Sequence, residues 1–384
     1  MTTEPTRIIR ATCAPGLAPW LKAEIEALGY EATSSDHTGV EIKGQMADAM
    51  RLILRLRTAF HILQRFADLY PRNAEELYKA ARKLPWERVI PADGYLTIVS
   101  TVQNDSIRNS MFPNVRLKDA IVDRIQEVHG RRPDSGPKGD QTVVHMFWKN
   151  DHCRLALDLS GRKLSDRGYR QMPGKAPMRE SIAAAVLAET GYDGTRPLVV
   201  PMCGSGTLAI EAALIATGRA PGLLRPNFGI KHLLSFDEEV WGRERLAAKK
   251  LRHDRTPAPI IASDWDEDAL EATYKNAVTA GVDHLIELYH CDFSETPLPE
   301  ERGSIILHGE YGERLGDEDE LKETYGRMGD YLKQQCGGWD GWVFTSRDMA
   351  RCIGLKSSRK VPFDNSGMDC RLLSFELYEG SRSA

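Results

Sequence analysis

The feature that most limits how this chain can fold is a strand, a glycine turn and a helix in immediate succession. Pro197-Leu198-Val199-Val200 is a short apolar run of the kind that forms a buried strand. Pro201-Met202-Cys203-Gly204-Ser205-Gly206-Thr207 follows it, and Leu208 to Ala216 is built of strong helix formers. Gly204 and Gly206 let the backbone turn sharply and let a ligand reach the main chain. The N–H groups at the helix start favour a phosphate or a carboxylate. Standing alone, the stretch would read as a ligand-free corner, because a lone G-x-G is common.

The rest of the chain narrows the choice. Its 384 residues suffice for two or three domains. Seven cysteines, an odd number with no C-x-x-C pair, argue against a disulfide framework or a zinc site and for a reducing cytosol. Cys203 reads as a small packing residue, since no base is marked for it. No apolar run is long enough to span a bilayer, and the first residues lack the apolar core of a signal peptide. The expectation is a cytoplasmic protein without membrane or metal partners. Residues 1–170 carry 26 Lys and Arg against 21 Asp and Glu; the remainder carries 25 against 34. A basic front and an acidic rear suit a polyanion-binding module joined to a catalytic one; chance fluctuation gives the same split.

Periodicity places strands at 8–12 and 40–42, and helices at 18–28 and 46–57. A strand at 61–66 is followed by a helix at 74–84 that Asn73 could cap. Residues 95–101 alternate as a strand, 115–128 form a helix, and strands 143–148 and 153–158 pair around Asn150-Asp151. Beyond the glycine turn lies a long insertion at 219–250. Strands follow at 260–263, 285–290, 304–307 and 341–345, with helices at 267–280 and 318–335 and final strands around 369–377. Asp264 stands at the end of the second sheet strand, where this kind of fold grips ribose hydroxyls. Asp266 is the second choice for that role, and it is also placed to cap the helix that starts at Glu267.

Pro-Met-Cys-Gly-Ser-Gly-Thr followed by Leu-Ala-Ile-Glu-Ala-Ala closely resembles the cofactor loop of the THUMP-containing methyltransferases. These include the bacterial large-subunit ribosomal RNA guanine-N2 methyltransferases, often labelled N6-adenine DNA methylases. Three more stretches carry the resemblance: Ala11-Thr12-Cys13-Ala14-Pro15-Gly16-Leu17, the junction Leu159-Ser160-Gly161 to Arg167-Gly168-Tyr169-Arg170, and Tyr311-Gly312-Glu313-Arg314-Leu315. The implied fold is α/β: a doubly wound, Rossmann-like class I methyltransferase domain preceded by an α+β ferredoxin-like and THUMP region. The expected domains are a ferredoxin-like lobe at 1–58, a THUMP-like RNA-binding domain at 59–160, a junction at 161–180 and the methyltransferase domain at 181–384. The resemblance implies S-adenosyl-L-methionine as cofactor and large-subunit ribosomal RNA as partner. It assigns the cofactor to Pro201, Cys203, Gly204, Ser205, Gly206, Thr207, Asp264 and Asp266, with Asp292 and Phe293 at the adenine, and Ala176-Pro177-Met178-Arg179-Glu180 bordering the pocket. RNA contacts are expected at Arg131, Arg132, Arg167 and Arg170, where a turning linker beside a polyanion needs guanidinium forks.

Two positions depart from the family. Its loop begins Asp-Pro, and this chain has Val200-Pro201. Its catalytic motif reads Asn-Pro-Pro-Tyr, and this chain has His308-Gly309-Glu310-Tyr311. In the family the Asn and a backbone carbonyl accept hydrogen bonds from the target amine and localise its lone pair, and the Tyr stacks on a flipped-out or single-stranded base. Here Tyr311 keeps the stacking position, a neutral His308 can replace one acceptor, and Glu310 can supply another. The expected activity is N2-methylation of a guanine in 23S ribosomal RNA. The alternatives are a catalytically degenerate RNA-binding or ribosome-assembly factor and an adenine-N6 DNA methylase, against which the THUMP-like lobe argues.

Overall fold

The computed structural model describes residues 6–104, 107, 109, 111–174, 177–309, 318–365 and 367–379. The chain forms two compact units, the first made of Met1–Cys13, Leu21–Leu164 and Arg225–Ala247, the second of Ala14–Trp20, Ser165–Leu224 and Ala248–Ala384. Among the described residues no helix is long and apolar enough to cross a membrane.

The front of the chain runs β1 (Arg7–Cys13), α1 (Ala18–Ala27), β2 (Ala32–Asp36), β3 (Gly39–Gly44), α2 (Met46–Arg55), β4 (Ala59–Leu69), α3 (Ala74–Ala81), β5 (Tyr95–Gln103), α4 (Met111–His129), β6 (Asp134–Ser135), β7 (Thr142–Lys149) and β8 (His152–Asp158). Its eight strands make one sheet in the order β2-β3-β1-β4-β8-β7-β5-β6. The two lobes expected from the sequence therefore share a single sheet. The long strand β4 joins them, pairing antiparallel with β1 on one side and β8 on the other. Local chemistry explains the boundaries. Asn73 Oδ1 accepts from the Glu75 and Glu76 N–H groups and starts α3. Asn150, at φ 53°, turns β7 back into β8.

The second unit begins with α5 (Glu180–Glu189), β9 (Leu198–Pro201) and α6 (Thr207–Ala216). The chain then rejoins the first unit over residues 225–247, which include most of α7 (Glu238–Lys249). Arg51 grips Glu244 with two hydrogen bonds of 2.9 and 2.8 Å, and Arg225 donates to the Lys163 carbonyl at 2.8 Å. The expected insertion is thus a structural part of the front unit.

The second unit continues with β10 (Ile260–Asp264), α8 (Glu267–Ala280), β11 (Ile286–His290), β12 (Ser304–His308), α9 (Glu318–Gln335), β13 (Asp340–Ser346), β14 (Arg359–Asn365) and β15 (Met368–Glu376). The sheet order is β11-β10-β9-β12-β13-β15-β14, parallel through β13, with β15 and β14 antiparallel. β9 and β10 are wholly buried, as apolar strands covered on both faces require. The order reverses between β9 and β12. Ligands of doubly wound sheets bind beyond the strand ends at such a switch point.

Candidate active site

The turn after β9 is held in an unusual conformation. Met202, Gly204 and Gly206 all have positive φ, at 60°, 56° and 80°. A side chain at Gly206 would meet Thr273 Cγ2 at 2.7 Å, so both φ and space demand glycine there. Gly204 has nothing within 4 Å of where a Cβ would stand, which leaves its face open to a ligand. Met202 is the non-glycine residue in this set, and strain of this kind gathers at ligand clamps.

Two side chains on α8 brace the turn. Thr273 Oγ1 donates to the Gly204 carbonyl at 2.8 Å, and Asn276 Nδ2 donates to the Ser205 carbonyl at 3.0 Å. Asn276 Oδ1 also accepts from the Gln171 and Met172 N–H groups at 2.8 and 3.0 Å. Sequence reading missed both residues. The available signal was their spacing of three on one helix: two polar side chains, each fully buried.

Asp264 acts on the same turn. Its Oδ2 accepts from the Gly204 N–H at 2.9 Å and its Oδ1 from the Asp266 N–H at 3.1 Å. Burial raises its carboxyl above the ordinary value. Asp266 accepts from the Asp268 N–H at 3.0 Å and caps α8, in accord with the second of its two expected roles. Burial pushes the Cys203 thiol up to about 12, which makes it inert packing.

A small cleft lies beyond the switch point, lined by Pro177, Met178, Val200, Met202, Cys203, Gly204, Ser205, Thr207, Leu208 and His308. Thr207 Oγ1 is buried without a hydrogen-bond partner among the described residues, and buried hydroxyls ordinarily have one. An open Gly204 face and an orphan hydroxyl are the marks of a turn built to receive a polar group. His308 ends β12 and meets Phe344 edge to face, with centroids 5.6 Å apart. Burial lowers its imidazole to about 4, so it is neutral at physiological pH. Glu310 and Tyr311 lie outside the described residues.

Four of the expected residues stand differently in the structure. Phe293 is 4% exposed and belongs to the core, with Tyr331 at its edge and the Arg327 guanidinium 4.9 Å over its ring. Buried this way with a guanidinium over its ring, it does not stand open to an adenine. Asp292 is likewise engaged, accepting from Ser294 Oγ at 2.6 Å and from Arg327 at 2.8 Å. Arg167, expected at RNA, is 1% exposed and paired with the fully buried Glu211 at 3.3 and 3.4 Å. Arg170 faces inward too: it donates to Glu180 Oε1 at 3.1 Å, the Met178 carbonyl at 2.9 Å and Ser205 Oγ at 3.0 Å. The junction arginines therefore bind the protein's own carboxylates and fasten the glycine turn. Arg131 and Arg132 are exposed, as a phosphate contact needs.

Because Asp264 holds the turn at the Gly204 N–H, Asp264→Ala is expected to weaken cofactor binding by about 10-fold or more. Calorimetry with S-adenosylmethionine reads this directly; an unchanged affinity would remove Asp264 from the site.

Family comparisons agree with this geometry. Residues 167–374 match the RMKL-like methyltransferase domain family, residues 9–63 the RlmL ferredoxin-like domain and residues 71–158 the THUMP domain. A Synechocystis sp. protein provisionally named an RNA methyltransferase, slr0064, is 33% identical over 97% of both chains. The ribosomal RNA large subunit methyltransferase K/L of Syntrophotalea carbinolica is 35% identical over 96% of this chain, which spans only 53% of that relative. The crystal structure of SMU.472, a provisionally named methyltransferase complexed with SAH, superposes with a TM-score of 0.88 at 26% identity, covering 99% of this chain and all of the other. The chain belongs to the RMKL-like methyltransferase family, with RlmL-type ferredoxin-like and THUMP domains preceding an S-adenosylmethionine-dependent methyltransferase domain.

Proposed function

We propose that this chain methylates the N2 amine of a guanine in 23S ribosomal RNA, in the cytoplasm. One observation carries the reading: the glycine turn and His308 line the same cleft. Direct transfer requires the cofactor and the target amine to share one space. Bound S-adenosylmethionine would supply a sulfonium-activated methyl group. The turn from Pro201 to Thr207, braced by Asp264, would hold it.

An exocyclic amine is a poor nucleophile because its lone pair is delocalised into the base. Neutral His308 offers an acceptor nitrogen that can orient the amine. The resemblance gives Glu310 a second acceptor role and Tyr311 the stacking role. A protonated imidazole would neither accept nor tolerate a cationic methyl donor, so the burial that keeps His308 neutral serves the reaction. Exposed Arg131 and Arg132 on the front unit would meet phosphates, positioning the RNA without reading its sequence.

A second reading, RNA binding without turnover, is favoured by His308-Gly309-Glu310 standing where the family has Asn-Pro-Pro. The deciding experiment is single-turnover methylation of 23S ribosomal RNA from a strain deleted for this gene, with the product nucleotide mapped. Methylation of one guanine at N2 is expected. Binding of cofactor and RNA with no transfer would leave the second reading.

A further inference from the structure

The first unit carries a cluster that the methyltransferase reading does not use. His61 lies on β4, Asp158 ends β8 and His145 lies on β7; β8 runs between the other two strands. Register puts all three on one sheet face. Asp158 stands opposite Leu63 and Val143, and the histidines are two residues from those positions. His61 Nδ1 is 2.7 Å and His145 Nε2 is 3.0 Å from the same oxygen, Asp158 Oδ2. The three donor atoms all fall within 4.8 Å of one another.

The carboxylate is oriented for this purpose. Its other oxygen, Oδ1, accepts from the Ser160 and Gly161 N–H groups at 2.8 and 3.2 Å, which turns Oδ2 toward the two rings. Such outer hydrogen bonds are what fix metal-ligating carboxylates. The Asp158 side chain has no solvent exposure, and the histidine side chains are 18% and 11% exposed. His61 Nδ1 is buried and makes no hydrogen bond of acceptable geometry among the described residues, despite its short distance to Oδ2. A ring nitrogen that touches a carboxylate oxygen without pointing a proton at it has the arrangement of a co-ligand.

We propose that His61, His145 and Asp158 bind one divalent transition-metal ion, with zinc the expected ion and water completing its coordination. Two imidazole nitrogens and one carboxylate oxygen form a borderline donor set, suited to zinc and unlike the all-oxygen shells of calcium or magnesium. Bonds of about 2.0–2.1 Å set tetrahedral ligands roughly 3.3 Å apart. The observed 2.7 and 3.0 Å need to open by roughly 0.6 and 0.3 Å. Three adjacent, mutually paired strands supply a rigid frame, and the ion would neutralise a carboxylate that has no solvent exposure. The scattered cysteines argued against a zinc site, and this proposal departs from that expectation with a donor set that uses no cysteine.

The test uses the full-length protein, stripped with a chelator and then titrated with zinc against a chromophoric competitor, and in parallel with cobalt(II). One ion per chain is expected, with visible cobalt d–d bands from the low-symmetry site. His61→Gln and His145→Gln should each weaken binding on the order of 10²-fold. Asp158→Asn should weaken it similarly, while its amide oxygen can still accept from Ser160 and Gly161. Circular dichroism checks that each variant is folded. Failure of the wild type to bind zinc or cobalt would overturn the proposal and leave a His–Asp–His hydrogen-bond network. Stoichiometric binding that both glutamine variants retain would overturn it equally, by placing the ion elsewhere.

Discussion

Arg167→Ala is expected to destabilise the second unit by about 3–5 kcal/mol, because it strands the Glu211 carboxylate in the interior of α6. Glu211 and Arg167 are 0% and 1% exposed at their side chains, and Tyr169 adds a 3.3 Å hydrogen bond to the same carboxylate. Breaking one half of a buried pair costs far more than removing both halves. The double variant Arg167→Met with Glu211→Leu should therefore recover most of the loss. Denaturant unfolding followed by circular dichroism measures both. An Arg167 that touched RNA instead would give the opposite pattern: Arg167→Ala would unfold like wild type and bind RNA less well.

The second large effect concerns His308. His308→Ala is expected to lower the single-turnover methylation rate by on the order of 10²-fold, with cofactor affinity little changed, since orienting the amine matters in the transition state. The pH dependence follows from burial, which lowers the imidazole from an ordinary value near 6.5 to about 4. The active form is the neutral one, present above about 4. Activity due to this group should hold flat from pH 6 to 8 and fall only as pH drops toward 4. An acidic limb near 6.5 in the wild type would contradict a His308 held neutral. Stability moves in the same sense. Between about 4 and 6.5 the unfolded chain binds the proton and the folded chain does not, so this contribution is whole above 6.5 and declines as pH falls through that window.

Much of the second unit was legible because its strands are short apolar runs and its helices are well punctuated. Asp266 before Glu267 marked the start of α8, and the glycine turn marked the start of α6. The edge strand β2 was not legible. Ala32-Thr33-Ser34-Ser35-Asp36 is polar and largely exposed, with no alternation to reveal it, and among the described residues it pairs with β3 alone. At the site, the glycine turn could be located from sequence, but its bracing could not. Asp264 reaches the turn because β10 runs parallel beside β9, a pairing that spacing in the sequence does not encode. The junction arginines misled for a definite reason. A Gly- and Arg-rich stretch looks like a polyanion-binding linker until its acid is found, and that acid is remote in sequence. Glu211 was itself a clue: a lone carboxylate amid Leu208-Ala209-Ile210 and Ala212-Ala213-Leu214 demands a buried cation.

The return of residues 225–247 to the front unit sets an order of events during synthesis. Domains commonly fold as they leave the ribosome, amino end first. Here the amino-terminal unit cannot finish that way, since Arg51 must wait for Glu244 and Leu159 for Ile230. By then β9 and α6 have already emerged, and β9 still lacks both its sheet neighbours, β10 and β12. The two units must mature together, with an apolar strand and an apolar helix held in waiting. A chain cut at residue 170 would expose the vacated seat of the 225–247 segment, so severing this protein between its units requires that segment to be carried across with the front half.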